Sequence, residues 1–206
     1  MSTHNVKRLY ISLTPEALNE AALNSEFALI VDKNFLSSRG FSPEEEPRGE
    51  ELEILEDEAL YRAAADSLER QNGSEIPRRV VAVAELGEGF EALPEGEAGQ
   101  YRLTRPLQFS EVVSYHVDEP EAASYLVEYL QARGDLDLPA PNESPELLSP
   151  GDASKSLSAE VSPEVSHEGT APLAPPDLSA YSELPDLLWF DGTELDLVRQ
   201  FLAGRP

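Results

Sequence analysis

The chain contains no cysteine, which excludes disulfides, thiolate metal sites and a cysteine nucleophile together. Histidine is nearly as scarce. Of its three copies, His4 and His167 fall in segments expected to lack fixed structure, so a histidine metal centre is not expected. Basic residues are few, 15 Lys and Arg against 40 Asp and Glu, for a net charge of −25. Nucleic-acid binding requires clustered cations that displace phosphate counterions, and an anionic membrane surface requires the same. Neither is expected as a partner. No apolar run approaches the roughly 18 residues of a membrane-spanning helix, and Met1 to Arg8 has no apolar stretch behind its charges. The expectation is a soluble cytoplasmic protein. No cofactor is expected, because Gly87-Glu88-Gly89 lacks the third glycine of a dinucleotide fingerprint and places a carboxylate where phosphate would approach.

A chain of 206 residues allows one domain plus a tail. The most strongly patterned stretch is Arg78 to Glu85. Within it Val80 to Ala84 is unbroken apolar sequence between Pro77 and Gly87. A strand wetted on one side alternates, whereas one covered on both faces reads as a continuous run, which predicts the middle of a sheet. Phe27 to Val31 is a second such run, with Asp32 at its carboxyl end. Leu9, Ile11 and Leu13 alternate with Tyr10 and Ser12 as a strand does, and Val112 to Val117 places Val113, Tyr115 and Val117 opposite Ser114 and His116. Tyr101 to Leu103 is read as a strand that Pro106 confines to an edge.

Helix signals lie between these runs. Thr14-Pro15-Glu16 predicts a capped helix reaching about Leu23. The longest helix is expected from Glu50 to Arg70, with Leu52, Leu55, Ala59, Leu60, Ala63, Ala64 and Leu68 on one stripe. Opposite them stand Glu53, Glu56, Asp57, Arg62, Asp66 and Glu69. Asp118 with Glu121 predicts a capping box opening a helix that Gly134 stops near Ala132. Residues 33–49 and 87–100 read as loops. The Glu44-Glu45-Glu46 block in the first is read as hydrated, not metal-binding. The pattern predicts an α/β domain over 1–135, with about five mostly parallel or mixed strands covered by helices. Residues 136–185 read as a disordered, acidic, Pro/Ser/Ala-rich linker. Residues 186–206 read as a strand and helix that pack back on the domain, with Asp191 and Glu194 opening the helix.

In a parallel sheet Thr14, Asp32, Glu85 and Asp118 would share the carboxyl ends, where open α/β sheets place a ligand crevice. His116 and Asp118 are the candidate catalytic residues. Thr14, Asp32, Arg78 and Arg79 are candidates for holding a small ligand, although the arginines have many carboxylates of their own chain to pair with. Trp189 and Phe190 are candidates for contacting a protein partner, as is the acidic surface. A non-catalytic interaction or regulatory protein is expected. The alternatives are a small-ligand-binding domain and a hydrolase or transferase using the strand-end crevice. Oligomeric state has no signature in the sequence.

Arg8-Leu9-Tyr10-Ile11, Pro77 to Ala84, Val113 to Glu119 and Leu187-Leu188-Trp189-Phe190 with Glu194-Leu195 together resemble a family of short, uncharacterised actinobacterial proteins. The resemblance covers about residues 7–133 and 186–196. It implies no activity and no catalytic residues, and it places the Trp189 segment within the same fold. The chain departs from the pattern in its long 136–186 insertion and in Phe190, where tyrosine is usual.

Overall fold

The computed structural model describes residues 6–42, 44, 46–71, 74–137 and 184–204. Residues 1–5, Asn72, Gly73 and nearly all of the 136–185 linker expected from the sequence lie outside the described residues. Seven strands form one sheet: β1 Lys7–Leu13, β2 Ala28–Leu29, β3 Val80–Leu86, β4 Phe90–Ala92, β5 Gln100–Leu103, β6 Val112–Val117 and β7 Leu188–Asp191. Their order is β4-β5-β2-β1-β3-β6-β7, and every neighbouring pair is antiparallel. This corrects the expectation of about five parallel or mixed strands. A continuous apolar run reports that both faces of a strand are covered, and it carries no information on the direction of the neighbours.

The helices explain why a parallel sheet was expected. α1 Lys33–Ser38 and α2 Glu50–Glu69 lie between β2 and β3 in the chain. Both strands run antiparallel to β1, so they are parallel to each other with β1 inserted between them. This is a split β-α-β unit. β1 pairs with β3 along its whole length, from Lys7 opposite Leu86 to Leu13 opposite Val80.

The alternation of β1 separates two cores. Leu9, Ile11 and Leu13 join Val80, Ala82, Ala84, Tyr115 and Val117 on one face, covered by Leu18, Leu23, Leu107 and Val198 of the C-terminal helix α4, Leu195–Leu202. Tyr10, Val81 and Val83 face the other way, against Leu55, Ala59, Leu60, Ala63 and Ala64 of α2 and against Phe35 and Leu36 of α1. Ser67 fastens the end of α2 to the sheet: its buried hydroxyl donates to the Leu13 carbonyl at 2.5 Å and accepts from the Val80 amide at 2.9 Å. A third cluster joins Leu68 to Leu184 and to Ala122 and Leu126 of α3, Ala122–Asp137.

Several local expectations are corrected. Thr14 occupies an N-cap position, but its side chain makes no capping bond and the helix is only a 3-10 segment, Pro15–Asn19. α3 passes through Gly134 and reaches Asp137. The stretch 33–49 contains α1, capped by the Asp32 carboxylate on the Phe35 amide, and 87–100 contains β4. β5 is an inner strand between β4 and β2, because Pro106 falls beyond its end. A bulge shifts the β3–β6 register between Val83 and Ala84, which leaves Val113 exposed and brings Val112 into the core in its place.

Gly192, just past β7, shows how tightly the C-terminal segment is seated. A Cβ built there would lie 2.0 Å from the Val112 carbonyl oxygen, a distance no side chain tolerates. Gly192→Ala is therefore expected to push β7 away from β6 and to lower the unfolding free energy by about 2 kcal/mol or more, measured by urea denaturation. An unchanged midpoint would show that the segment is not seated on β6 as described.

Candidate functional site

An antiparallel sheet places successive carboxyl ends at opposite edges, so the strand-end candidates separate. Thr14 and Asp118 follow β1 and β6 and share one end with Arg78 and Arg79, which precede β3. Asp32 and Glu85 lie at the other end. Asp32 caps α1 and accepts from the Tyr101 hydroxyl at 2.6 Å. Burial, reinforced by that carboxylate, pushes the Tyr101 hydroxyl up to about 12. Glu85 pairs with Arg8 at 2.9 Å.

Arg79 and Asp118 are bound to each other with no side-chain exposure at all. The Asp118 carboxylate accepts from the Arg79 amide at 2.6 Å, from Nε at 3.0 Å and from Nη2 at 2.6 Å. Nη2 also donates to the Pro185 carbonyl, at the entrance to β7. The capping box expected at Asp118 and Glu121 is thus absent in this form. The carboxylate turns to a buried cation, because an unpaired charge there would cost more than an uncapped helix end. Arg78 points to the opposite face, where Nη1 reaches the Phe201 carbonyl of α4 at 3.4 Å, while Gln71 pairs with its backbone. The two consecutive residues ahead of β3 therefore hold the two ends of the returning segment, Arg79 at Pro185 and Arg78 at Phe201.

Two other candidates, His116 and Trp189, meet in a groove on the α2 side of the sheet. It measures about 370 Å³ and is lined by Leu60, Val83, Val113, Ser114, His116 and Trp189, with Glu53, Glu56, Asp57 and Arg8 around its mouth. His116 and Trp189 are register partners on β6 and β7. His116 is largely buried, and that burial alone lowers its imidazole from 6.5 to about 4, so it is neutral near pH 7. Its Nε2 lies 3.2 Å from the Ser114 hydroxyl. Trp189 is 60% exposed, whereas Phe190 turns to the opposite face and packs on Phe201 with the rings tilted and their centroids 5.5 Å apart. An adjoining depression of about 580 Å³ shares Arg8, Tyr10, Glu53 and Glu56 with the groove. Arg8 sits between Glu56 at 3.0 Å and Glu85, which raises its pKa further. Glu53 and Asp57 make no ion pair among the described residues.

The carboxylate row of α2 and the Ser114–His116 face of β6 are visible in the sequence. That Arg8, Tyr10 and Trp189 complete the groove is not, because only the strand order brings β1 and β7 to its two sides. Among the described residues no group of His, Asp and Glu could hold a metal ion, and no helix is long and apolar enough to cross a membrane.

Two measurements check these assignments. Asp118→Ala strands a buried guanidinium and should destabilise the fold by about 3–5 kcal/mol in urea titration; a loss under about 1 kcal/mol would show that the pair is solvated. For His116 the folded pKa lies below the unfolded one, so its contribution is fully present above pH 6.5 and is lost as pH falls towards 4. Relative to His116→Gln, the wild type should lose up to about 3 kcal/mol across that window. A pH-independent difference would show that the imidazole is not held neutral.

No curated protein and no solved structure matches this chain. A family model matches residues 7–143, which hold six of the seven strands, the groove-facing row of α2 and the Arg79–Asp118 pair. The chain belongs to this family, which is described as a family of unknown function, DUF6912.

Proposed function

We propose that the chain is a non-catalytic interaction protein whose contact surface is the groove between α2 and the β6–β7 end of the sheet. The observation that carries this reading is Trp189, 60% exposed beside the exposed Val113. A tryptophan on a strand next to a concave surface buries a large area on contact and loses little conformational freedom, which is why such residues anchor interfaces. A small-molecule crevice at the candidate ligand residues is less favoured, since Arg79, Asp32 and Asp118 bind groups of their own chain and Arg78 reaches the Phe201 carbonyl, although Arg78 Nε and Arg79 Nη1 have no hydrogen-bond partner among the described residues. In this reading the protein acts in the cytoplasm, and the family resemblance implies an actinobacterial one.

A second reading has one observation in its favour. The 3.2 Å approach of Ser114 to His116 pairs a hydroxyl with a neutral imidazole inside the groove, the minimum of a nucleophile and base. It would make the protein a hydrolase or transferase that uses Ser114 and His116, with Asp118 excluded from the chemistry by its pairing with Arg79.

One experiment separates the two. Tagged wild type and Trp189→Ser are used to recover partners from the producing cells, with the melting temperature of each as a folding control. At least one specifically recovered protein should fall about tenfold with Trp189→Ser while the melt stays within a few degrees. Recovery indifferent to Trp189 would overturn the contact surface. Covalent labelling by a fluorophosphonate that disappears in Ser114→Ala would instead favour the catalytic reading.

A further inference from the structure

We infer that the occupant of the groove is an extended, arginine-bearing segment of a protein partner. This rests on the contact surface proposed above and adds the chemistry of what it takes. Shape is the first observation. The two depressions of about 370 and 580 Å³ share Arg8, Tyr10, Glu53 and Glu56, so together they form one elongated trough along the first half of α2. A trough suits a stretch of chain better than a compact small molecule.

Charge is the second. Glu53, Glu56, Asp57 and Glu85 border the trough against only Arg8 and Lys7, and Arg8 is already committed to Glu56 and Glu85. That leaves Glu53 and Asp57, both exposed and one helical turn apart on α2, facing the groove without a cation among the described residues. His116 at the floor is neutral and repels no incoming cation. Aromatic chemistry is the third. A guanidinium can lie flat on the Trp189 indole and donate at its edge to the carboxylates, which a compact ammonium does less well. The chain cannot supply this ligand from its own residues 138–183, where Lys155 is the one basic residue.

The chain has a single tryptophan, so its emission reports directly on this site. The full-length protein is titrated with the peptide acetyl-Gly-Arg-Ser-Arg-Gly-Arg-Ser-Arg-Gly-amide, and in parallel with the same peptide carrying citrulline for arginine. A saturable change in Trp189 emission with the arginine peptide is expected, and about tenfold weaker binding or none with citrulline. The double variant Glu53→Gln/Asp57→Asn should weaken the arginine peptide about tenfold, and the exposed control pair Glu20→Gln/Glu75→Gln less than about twofold. Thermal melts confirm that each variant is folded. Equal losses in both pairs would mean diffuse attraction to a polyanion and would overturn the inference. An equal response to citrulline would overturn it in favour of an apolar partner, and a change in emission with protein concentration alone would do so in favour of a second copy. Should Trp189-dependent recovery from cells persist while the arginine peptide is silent, the partner chemistry is wrong and the contact surface stands. If neither depends on Trp189, both fall.

Discussion

The buried pair of Arg79 and Asp118 is the constraint on which the rest of the architecture depends. Two charges removed from water are a net liability unless each finds its full set of partners. Here the carboxylate takes a backbone amide and two guanidinium donors, and the guanidinium continues to the Pro185 carbonyl, while its buried Nη1 has no hydrogen-bond partner among the described residues. The pair therefore cannot be satisfied by β3 and β6 alone. The chain must come back from a distant part of the sequence to bring Pro185 to Arg79, and β7 is laid beside β6 as it does so. Such an arrangement contributes specificity more than raw stability, because a chain that returned elsewhere would leave a charged donor buried without an acceptor.

Legibility followed the range of the information. Burial was legible: the Val80–Ala84 run lies covered on both faces, the Leu9, Ile11 and Leu13 alternation faces one core, and Leu55, Ala59, Leu60, Ala63 and Ala64 of the α2 stripe face the other, while Leu68 joins the third cluster. Direction was not, since strand polarity is decided by pairings between residues far apart, such as Leu13 with Val80, that leave no local trace. Asp118 shows the same limit at a single residue. Its spacing to Glu121 is that of a capping box, yet a tertiary partner with a full charge outbid the local amides. The extra residue at Val113 put Val112 in its place in the core, while Tyr115 and Val117 kept the expected inward side, because a bulge is a property of two strands together.

For the candidate site the consequence was a reassignment. A crevice built on parallel strand ends dissolves once alternate strands run the other way, and Asp32, Glu85 and Asp118 bind groups of their own chain instead. What remains is the surface that the same topology creates on the α2 side, where β6 and β7 present Ser114, His116 and Trp189 to a row of carboxylates. His116 and Trp189 were both singled out by their chemistry, and only the strand order revealed that they are neighbours.

The insertion of β1 between β2 and β3 also bears on how the protein is made. β1 is synthesised first, yet its longest partner begins only at Val80, after two helices and a shorter strand have been produced. β7 closes on β6 across a still longer interval of chain. Pairings so distant in sequence must meet the entropy of loop closure before they gain anything in return, which slows folding. During synthesis, then, the edge of β1 that β3 will cover waits for a strand that does not yet exist, and the tryptophan-bearing strand is the last of the seven to be made.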